Sequence, residues 1–283
     1  MTARILGIAL LAAGACIAAT ILVQAYRDRE ALRKEPGRFP FLCVTEVVLY
    51  FLATLGISDY LMNTLLIKRF DLTDDKKLPG TLVVTGLVPS AVIASFLLRA
   101  EQTVEPRTLL PCLLSMLLGS VSGVRLVQGM DGARIKKVMG FALIGSFFAL
   151  IVRMVVSHGA PGELIALSAP KLAFAVVFSF FWGAVNMIGV PMKPAGSAMF
   201  LLLGMTPLAT LTLILVMGSI GPMGGGIAFL RNRQYAAKIA CSAVCGGVIG
   251  AVLGSVFAIS VNAMLLNVLL LCVMVIAIFM MFR

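Results

Sequence analysis

Two acidic residues lie within apolar stretches of this sequence and a lysine lies at a break in another, where a charge is costly unless it serves a function. Glu46 and Asp59 are the only two of the twelve acidic residues in such positions, and Lys193 is the corresponding basic residue. An ammonium group can bind an anion, and a carboxyl group can carry a proton. The three residues therefore predict an anion site with a proton-binding group nearby.

Asp59 and Lys193 each lie where glycine, proline and polar residues interrupt an apolar stretch, in breaks at residues 56–64 and 186–197. Gly and Pro end helices, and Ser, Asp and Asn cap the helix that follows. Two half-helices that begin at these breaks would direct unpaired N–H groups and positive dipole ends at an anion. The predicted substrate-binding residues are Gly56, Ser58, Asp59, Asn63, Thr64, Asn186, Gly189, Lys193, Gly196 and Ser197.

We expect Asp59 and Lys193 to face each other across this site and to change partners when an anion binds. Asp59 is the favoured proton-coupling residue and Glu46 the second candidate. Because Glu46 lies only five residues into its apolar segment, an extended side chain reaching the cytoplasmic interface is an equal alternative.

The small and polar residues around two prolines predict a path or gate for the substrate, although helix bending alone explains these residues as often. These are Thr85, Pro89, Ser90, Gly218, Ser219 and Pro222.

The elements that must position these residues are membrane-spanning helices. Of the 283 residues, 60% are hydrophobic and only 12% charged, against about 25% charged in a soluble domain. A spanning helix needs about 20 apolar residues, and the pattern predicts an all-α integral membrane protein of nine segments. They are 5–25, 41–57, 81–98, 108–128, 138–156, 172–190, 206–230, 239–260 and 265–282.

Two shorter apolar pieces, 60–70 and 195–205, directly follow the breaks and are too short to span. If both fold back as re-entrant half-helices, 17 of the 23 basic residues lie on the cytoplasmic side, as the positive-inside rule requires. Simple alternation of nine helices places many of them outside, so the charges favour re-entrance over kinked spanning helices. The N-terminus is then outside and the C-terminus cytoplasmic.

The chain also aligns with itself at an offset of 133 residues, which pairs Gly56 with Gly189 and Pro89 with Pro222. The predicted organisation is an N-terminal helix (1–26), a basic cytoplasmic loop (27–40), a first repeat (41–157), an external loop (158–171) and a second, inverted repeat (172–283). Each repeat holds four helices, one of them broken. Inverted repeats with broken helices are typical of secondary transporters, whose substrate binds where the breaks meet.

The net charge of +11 does not indicate nucleic acid, because the basic residues flank the apolar segments. The six cysteines form no metal-binding spacing, so no metal and no cofactor are expected. The expected partners are a small anion and the lipid bilayer, and nothing in the sequence indicates an oligomeric state. A membrane-embedded enzyme is less consistent with a single histidine, whereas a passive anion channel remains an alternative.

The sequence resembles the TauE/SafE sulfite exporter family, also called the toluenesulfonate uptake permease family, over residues 41–282. The resemblance lies in the glycine-led break and half-helix of each half, in Leu203-Gly204-Met205-Thr206-Pro207, and in the segment from Phe70 to Gly80. It implies a bacterial inner-membrane carrier of sulfite, sulfonates or other organosulfur anions, coupled to protons. The chain departs from the family's glycine-rich cluster, with Gly-Ile-Ser-Asp in one half and Gly-Val-Pro-Met-Lys-Pro in the other.

Overall fold

A computed structural model describes residues 2–55, 57–97, 104–157, 162–257 and 275. Within these residues the chain is helical, and the extended pairing is limited to one isolated bridge between Leu164 and Met205. The α-helices are α1 (Thr2–Arg27), α2 (Arg29–Lys34), α3 (Phe39–Thr54), α4 (Asp59–Phe70), α5 (Leu78–Leu97), α6 (Pro106–Gln128), α7 (Gly132–Ser157), α8 (Ala169–Asn186), α9 (Met192–Leu202), α10 (Pro207–Ile220), α11 (Met223–Arg231), α12 (Ala237–Ser242) and α13 (Val248–Phe257). A π-helical turn (Ala243–Gly247) joins α12 to α13.

Six stretches in the described residues are long and apolar enough to cross a membrane, and α3 is a shorter apolar helix. The predicted segment 138–156 lies inside α7, and the predicted segment 265–282 lies outside the residues that the structure describes. The six spans are Gly7–Arg27, Leu78–Phe96, Pro106–Gln128, Ala169–Asn186, Ala209–Arg231 and Ala237–Val256. The structure therefore agrees with a helical, multi-pass membrane protein.

Helices α3 and α4 form a hairpin. Ser58 has an extended backbone and begins α4, and Asp71 ends α4 in the left-handed conformation. The rings of Phe41, in the first turn of α3, and Phe70, at the end of α4, pack edge to face with centroids 5.4 Å apart. The chain thus returns to the end at which α3 began.

Helices α8 and α9 form a second hairpin. Between them Gly189 adopts a φ of +98°, a conformation that favours glycine, and Pro191 then starts α9 with an extended backbone. Lys171, at the start of α8, donates a hydrogen bond from Nζ to the carbonyl oxygen of Leu203, just after α9, at 2.7 Å. This half of the chain therefore also contains a helix that breaks and turns back.

Glycines bring the long helices into close contact. A Cβ atom at Gly119 or Gly123 of α6 would collide with the backbone of α8 at Phe180 or Ala184. The repeated glycines Gly246 and Gly250 lie in the same way against the backbone of α3. The small-residue spacing thus indicates helix packing, as membrane helices use it.

The structure differs from three of the segments predicted from the sequence. The predicted segment 206–230 is divided into α10 and α11 by a turn at Gly221, after which Pro222 starts the new helix. Proline has no N–H to continue the preceding helix, which explains the division. The basic segment 27–40 contains the short helix α2, and the segment 239–260 contains the π-helical turn.

The N-terminal helices are held to the start of α12 by polar contacts. The Glu35 carboxylate accepts backbone N–H groups from Ala237 at 3.0 Å and Lys238 at 2.6 Å. The Tyr235 hydroxyl donates to Oε1 of Gln24 at 2.8 Å. Burial raises the pKa of Tyr235 to about 12, so this hydroxyl remains a donor at neutral pH.

Candidate functional site

The two helix breaks meet at an ion pair. Nζ of Lys193 lies 3.3 Å from Oδ1 of Asp59, and the two side chains are only 17% and 11% exposed. Asp59 is the first residue of α4 and Lys193 the second of α9. The structure therefore brings together the two charged residues that the sequence predicts to face each other.

The Lys193 ammonium also reaches the C-terminal end of α3. It donates to the carbonyl oxygens of Ala53 at 3.4 Å and Ile57 at 3.1 Å. The last carbonyls of a helix lack intrahelical partners and carry partial negative charge, so they suit a cation. The ammonium group thus has one charged partner, Asp59, and two backbone carbonyl partners.

The N-terminal ends of two helices add partial positive charge to that of Lys193 at this site. Lys193 stands in the first turn of α9, where the helix dipole is already positive, whereas Asp59 stands favourably in the first turn of α4. The carboxylate and the two carbonyl oxygens offset the ammonium charge. An anion that replaced the carboxylate would meet both the ammonium group and the N-terminal ends of two half-helices.

A second polar contact joins the breaks. The Tyr60 hydroxyl donates to Oδ1 of Asn186 at 3.1 Å, and Nδ2 of Asn186 donates to the carbonyl oxygen of Val190 at 2.9 Å. A Cβ atom at Gly189 would lie 2.7 Å from Cε of Met139. Asn186 therefore connects the two breaks and stabilises the second, while Gly189 allows close packing there.

A cavity of about 40 Å³ lies beside the ion pair, large enough for water or a small anion. It is bordered by both breaks and by α5 and α10. Its lining residues are Ala53, Ser58, Asp59, Tyr60, Ser90, Ile93, Asn186, Pro191, Met192, Lys193, Leu215, Gly218 and Ser219.

Two glycines leave space around this cavity. The position of a Cβ atom at Gly86 is 3.5 Å from Oδ2 of Asp59, 3.8 Å from the Tyr50 hydroxyl and 3.9 Å from Oγ of Ser90. A Cβ atom at Gly218 would have no atom of a neighbouring residue within 4 Å among the described residues. The polar groups thus surround open space and not a filled core.

The predicted site residues divide into two sets. Those that line the cavity are Ser58, Asp59, Asn186, Lys193, Ser90, Gly218 and Ser219. Those that lie elsewhere are Asn63, Thr64, Gly189, Gly196, Ser197, Thr85, Pro89 and Pro222. Several hydroxyl groups donate along their own helices, for example Thr85 to the carbonyl oxygen of Thr81 at 2.6 Å. Gly56 is outside the residues that the structure describes.

Several lining residues were not predicted. Tyr60, Pro191 and Met192 belong to the breaks, so their position in the sequence is a signal that could have identified them. The apolar residues Ala53, Ile93 and Leu215, in contrast, resemble ordinary core residues of spanning helices. Only the packing of α3, α5 and α10 brings them to the cavity.

Glu46 does not extend to an interface, because its side chain is fully buried. Neither carboxylate oxygen has a hydrogen-bond partner in the described part of the chain. The alternative of an extended Glu46 side chain is therefore wrong for this conformation.

The model of the sulfite exporter TauE/SafE family matches residues 65–281, about three quarters of the chain. The matched range begins within α4, so it contains Lys193 and the second break, whereas Asp59 and Glu46 precede it. No curated protein and no solved structure matches the chain significantly. The match and the six candidate spans together identify a multi-pass membrane transport protein. The chain belongs to the TauE/SafE sulfite exporter family.

Proposed function

We propose that this protein is a secondary transporter that moves a small anion across the bacterial inner membrane. The substrate is sulfite, a sulfonate or another organosulfur anion. The observation that carries the proposal is the Lys193 ammonium group at a cavity between two broken helices. A lysine that is largely shielded from solvent at the N-terminus of a half-helix is suited to bind an anion inside a membrane.

Anion binding requires a partner exchange in this proposal. The partners of the Lys193 ammonium group are the Asp59 carboxylate and two backbone carbonyl oxygens. The entering anion replaces the carboxylate, because only that partner is a charged side chain able to move. The charge of the ammonium group then stays compensated in both the empty and the loaded states.

The cavity volume favours a small oxyanion over an aryl sulfonate. A space of about 40 Å³ accepts a group of a few heavy atoms, whereas an aromatic ring requires the helices around the cavity to separate. Among the candidate substrates we therefore expect sulfite and short alkyl sulfonates to be transported best.

The transport cycle rests on two inverted four-helix repeats that follow the N-terminal helix. The basic-residue distribution and the presence of one helix hairpin in each half support this topology. In it the N-terminus is outside and the C-terminus cytoplasmic. Rocking of one repeat against the other would open the cavity to each side in turn.

The test is flux in proteoliposomes. The purified protein is given radiolabelled sulfite, thiosulfate, alkyl and aryl sulfonates, sulfoacetate and carboxylates, with empty liposomes as the control. We expect saturable uptake that is accelerated by the same anion inside the vesicle, because a carrier exchanges its substrate. Movement of none of these anions would overturn the proposal, and non-saturable flux without counterflow would replace the carrier with a channel.

A further inference from the structure

The Glu46 carboxyl group is buried without a salt-bridge partner among the described residues. Its side chain is 0% exposed, and neither Oε1 nor Oε2 has a hydrogen-bond partner among the described residues. Two nearby groups on α3 and α4 share this property, namely the hydroxyl of Tyr50 and Oδ1 of Asn63. Four oxygen atoms able to accept a hydrogen bond thus lack a partner in one region of the protein.

The helices packed against α3 supply no free cation to this carboxyl group within the described residues. The titratable groups of α4 are Asp59 and Tyr60 near the break and Lys68 and Arg69 in the last turn. Lys68 pairs with Asp75, and Arg69 lies over the ring of Phe70. The π-helical turn contributes the thiol of Cys245, and α12 contributes Cys241 and Lys238. The Lys238 ammonium group is bound to the carbonyl oxygens of Glu35 and Gly37. Helix α13, the remaining neighbour, has no titratable residue.

Lys193 is too far along α3 to serve as the counterion. Its contact on α3 is the carbonyl oxygen of Ala53, which lies seven residues after Glu46 and therefore about 10 Å along the helix. Its ammonium group is already paired with Asp59. An ionised Glu46 would be an unpaired buried charge, which is strongly unfavourable.

A single proton bound to Glu46 would remove the unpaired charge and supply a hydrogen-bond donor. Protonated Glu46 has an O–H group that can donate to Oδ1 of Asn63, so one hydrogen bond satisfies two of the unpartnered groups. Ca²⁺ and Mg²⁺ take six or more ligands, whereas four unpartnered oxygen atoms are described in this cluster. The chemistry of the cluster therefore selects a proton.

Tyr50 lies between this carboxyl group and the ion pair, and its hydroxyl group is free to accept or donate a proton among the described residues. It lies four residues after Glu46, on the same face of α3. Its hydroxyl and Oδ2 of Asp59 both lie within 4 Å of one point, the Cβ position of Gly86. Both Glu46 and Asp59 act electrostatically on Tyr50. The order along the structure is therefore Glu46, Tyr50, Asp59.

We propose that Glu46 carries the coupling proton and delivers it through Tyr50 to Asp59 when an anion takes Lys193. This inference rests on the proposed function and specifies its coupling. The Glu46 O–H bond breaks as its proton passes to the Tyr50 oxygen, and the Tyr50 hydroxyl proton passes to Oδ2 of Asp59. Asp59 is then neutral beside the new pair of Lys193 and anion. Glu46 takes up the next proton from water.

The site is tested by infrared spectroscopy of the full-length protein in deuterated buffer, where a protonated buried carboxyl group gives its own carbonyl band. We expect this band in the wild-type protein at neutral pH. It is lost in Glu46→Gln and retained in Asp59→Asn, because Asp59 is the carboxylate of the ion pair. No such band in the wild type, or loss of the band in Asp59→Asn with retention in Glu46→Gln, would overturn the proposal.

Asn63→Leu tests the same site if Glu46→Gln does not fold. Removing the Oδ1 acceptor weakens the hydrogen bond of the Glu46 O–H group, so we expect the carbonyl band to shift to higher frequency. An unshifted band contradicts the assigned partner and thereby the site.

Coupling is tested in proteoliposomes with radiolabelled sulfite. In the wild type an imposed pH gradient should change the initial rate, and in Glu46→Gln the ratio of rates with and without the gradient should fall to one. If the rate of sulfite flux in the wild type does not depend on the pH gradient, or depends on a sodium gradient instead, the proposed proton coupling is wrong. The proposed transport function is not affected by that result. Absence of all anion flux overturns the transport function, while the infrared band still tests the proton site.

Discussion

Lys193 and Asp59 form an ion pair that closes the junction of the two broken helices. The ammonium nitrogen and the carboxylate oxygen are 3.3 Å apart, and two carbonyl oxygens at the end of α3 complete the coordination of the ammonium group. This arrangement makes Lys193 both a structural contact and the proposed anion-binding group. Substitutions can separate these two roles.

Lys193→Met should strongly reduce anion transport. The variant keeps the length of the side chain and removes the charge, and hydrogen bonds to a charged group contribute about 1.5–3 kcal/mol. We therefore expect a fall of at least about tenfold in sulfite flux in proteoliposomes. Lys137→Met, at an exposed position near the start of α7, is the control. Equal flux in the two variants would contradict the role of Lys193.

Asp59→Asn and Lys193→Met should each lower the melting temperature more than the double variant does. Each single change leaves one buried charge without its partner, which costs a few kcal/mol, whereas the double change removes both charges. Thermal unfolding of the four proteins in the same detergent measures this coupling. Simple addition of the two single effects would show that the ion pair does not contribute to stability.

Gly218→Ala should narrow the range of transported anions without destabilising the fold. The new methyl group meets no neighbouring atom within 4 Å among the described residues and enters the cavity, and alanine favours a helix more than glycine does. We expect the flux ratio of ethanesulfonate to sulfite to fall, with an unchanged or higher melting temperature. Gly145→Ala, which also has open space around it but lies on α7, is the matched control. An equal change of the ratio in both variants would argue against the cavity as the binding site.

Gly119→Ala should destabilise the protein, because the added Cβ atom would collide with the backbone of α8 at Phe180. Overpacking of this kind typically costs about 1–3 kcal/mol. Unfolding in detergent measures the loss, with Gly129→Ala at the end of the same helix as the control, since its Cβ would make ordinary contacts. A stability equal to that of the control would mean that α6 and α8 are not so closely packed.

Glu35→Ala should loosen the N-terminal helices from the remainder of the protein. The carboxylate accepts the backbone N–H groups of Ala237 and Lys238, and leaving buried donors unpaired costs about 1–3 kcal/mol. We expect faster hydrogen exchange at the start of α12 and a lower melting temperature. Glu30→Ala, at an exposed position of α2, should change neither. Unchanged exchange in Glu35→Ala would contradict the contact.

The sequence identified the charged residues of the candidate site because charged residues are rare within membrane-spanning stretches. Few ionisable residues lie within the apolar stretches, so Asp59 and Lys193 could be identified and expected to face each other before their distance was known. The small-residue spacing of Gly119 and Gly123 was informative for a similar reason, since only close helix packing requires it. The orientation of the Glu46 side chain could not be predicted. A residue only five positions from the start of its apolar segment can either extend to the interface or be buried in the protein.

The sequence by itself determined that this is a helical membrane protein, that each half contains a break in a helix, and that one lysine lies at a break. A run of apolar residues predicts a spanning helix, and a glycine or proline predicts its end, whatever the rest of the chain does. These effects are local to the sequence. Only the tertiary structure decided which groups surround that charge. The carbonyl oxygens at the end of α3, the apolar lining residues Ile93 and Leu215, and the unpartnered carboxyl group of Glu46 come together through helix packing. Such contacts join segments far apart in the chain, and no local pattern specifies them.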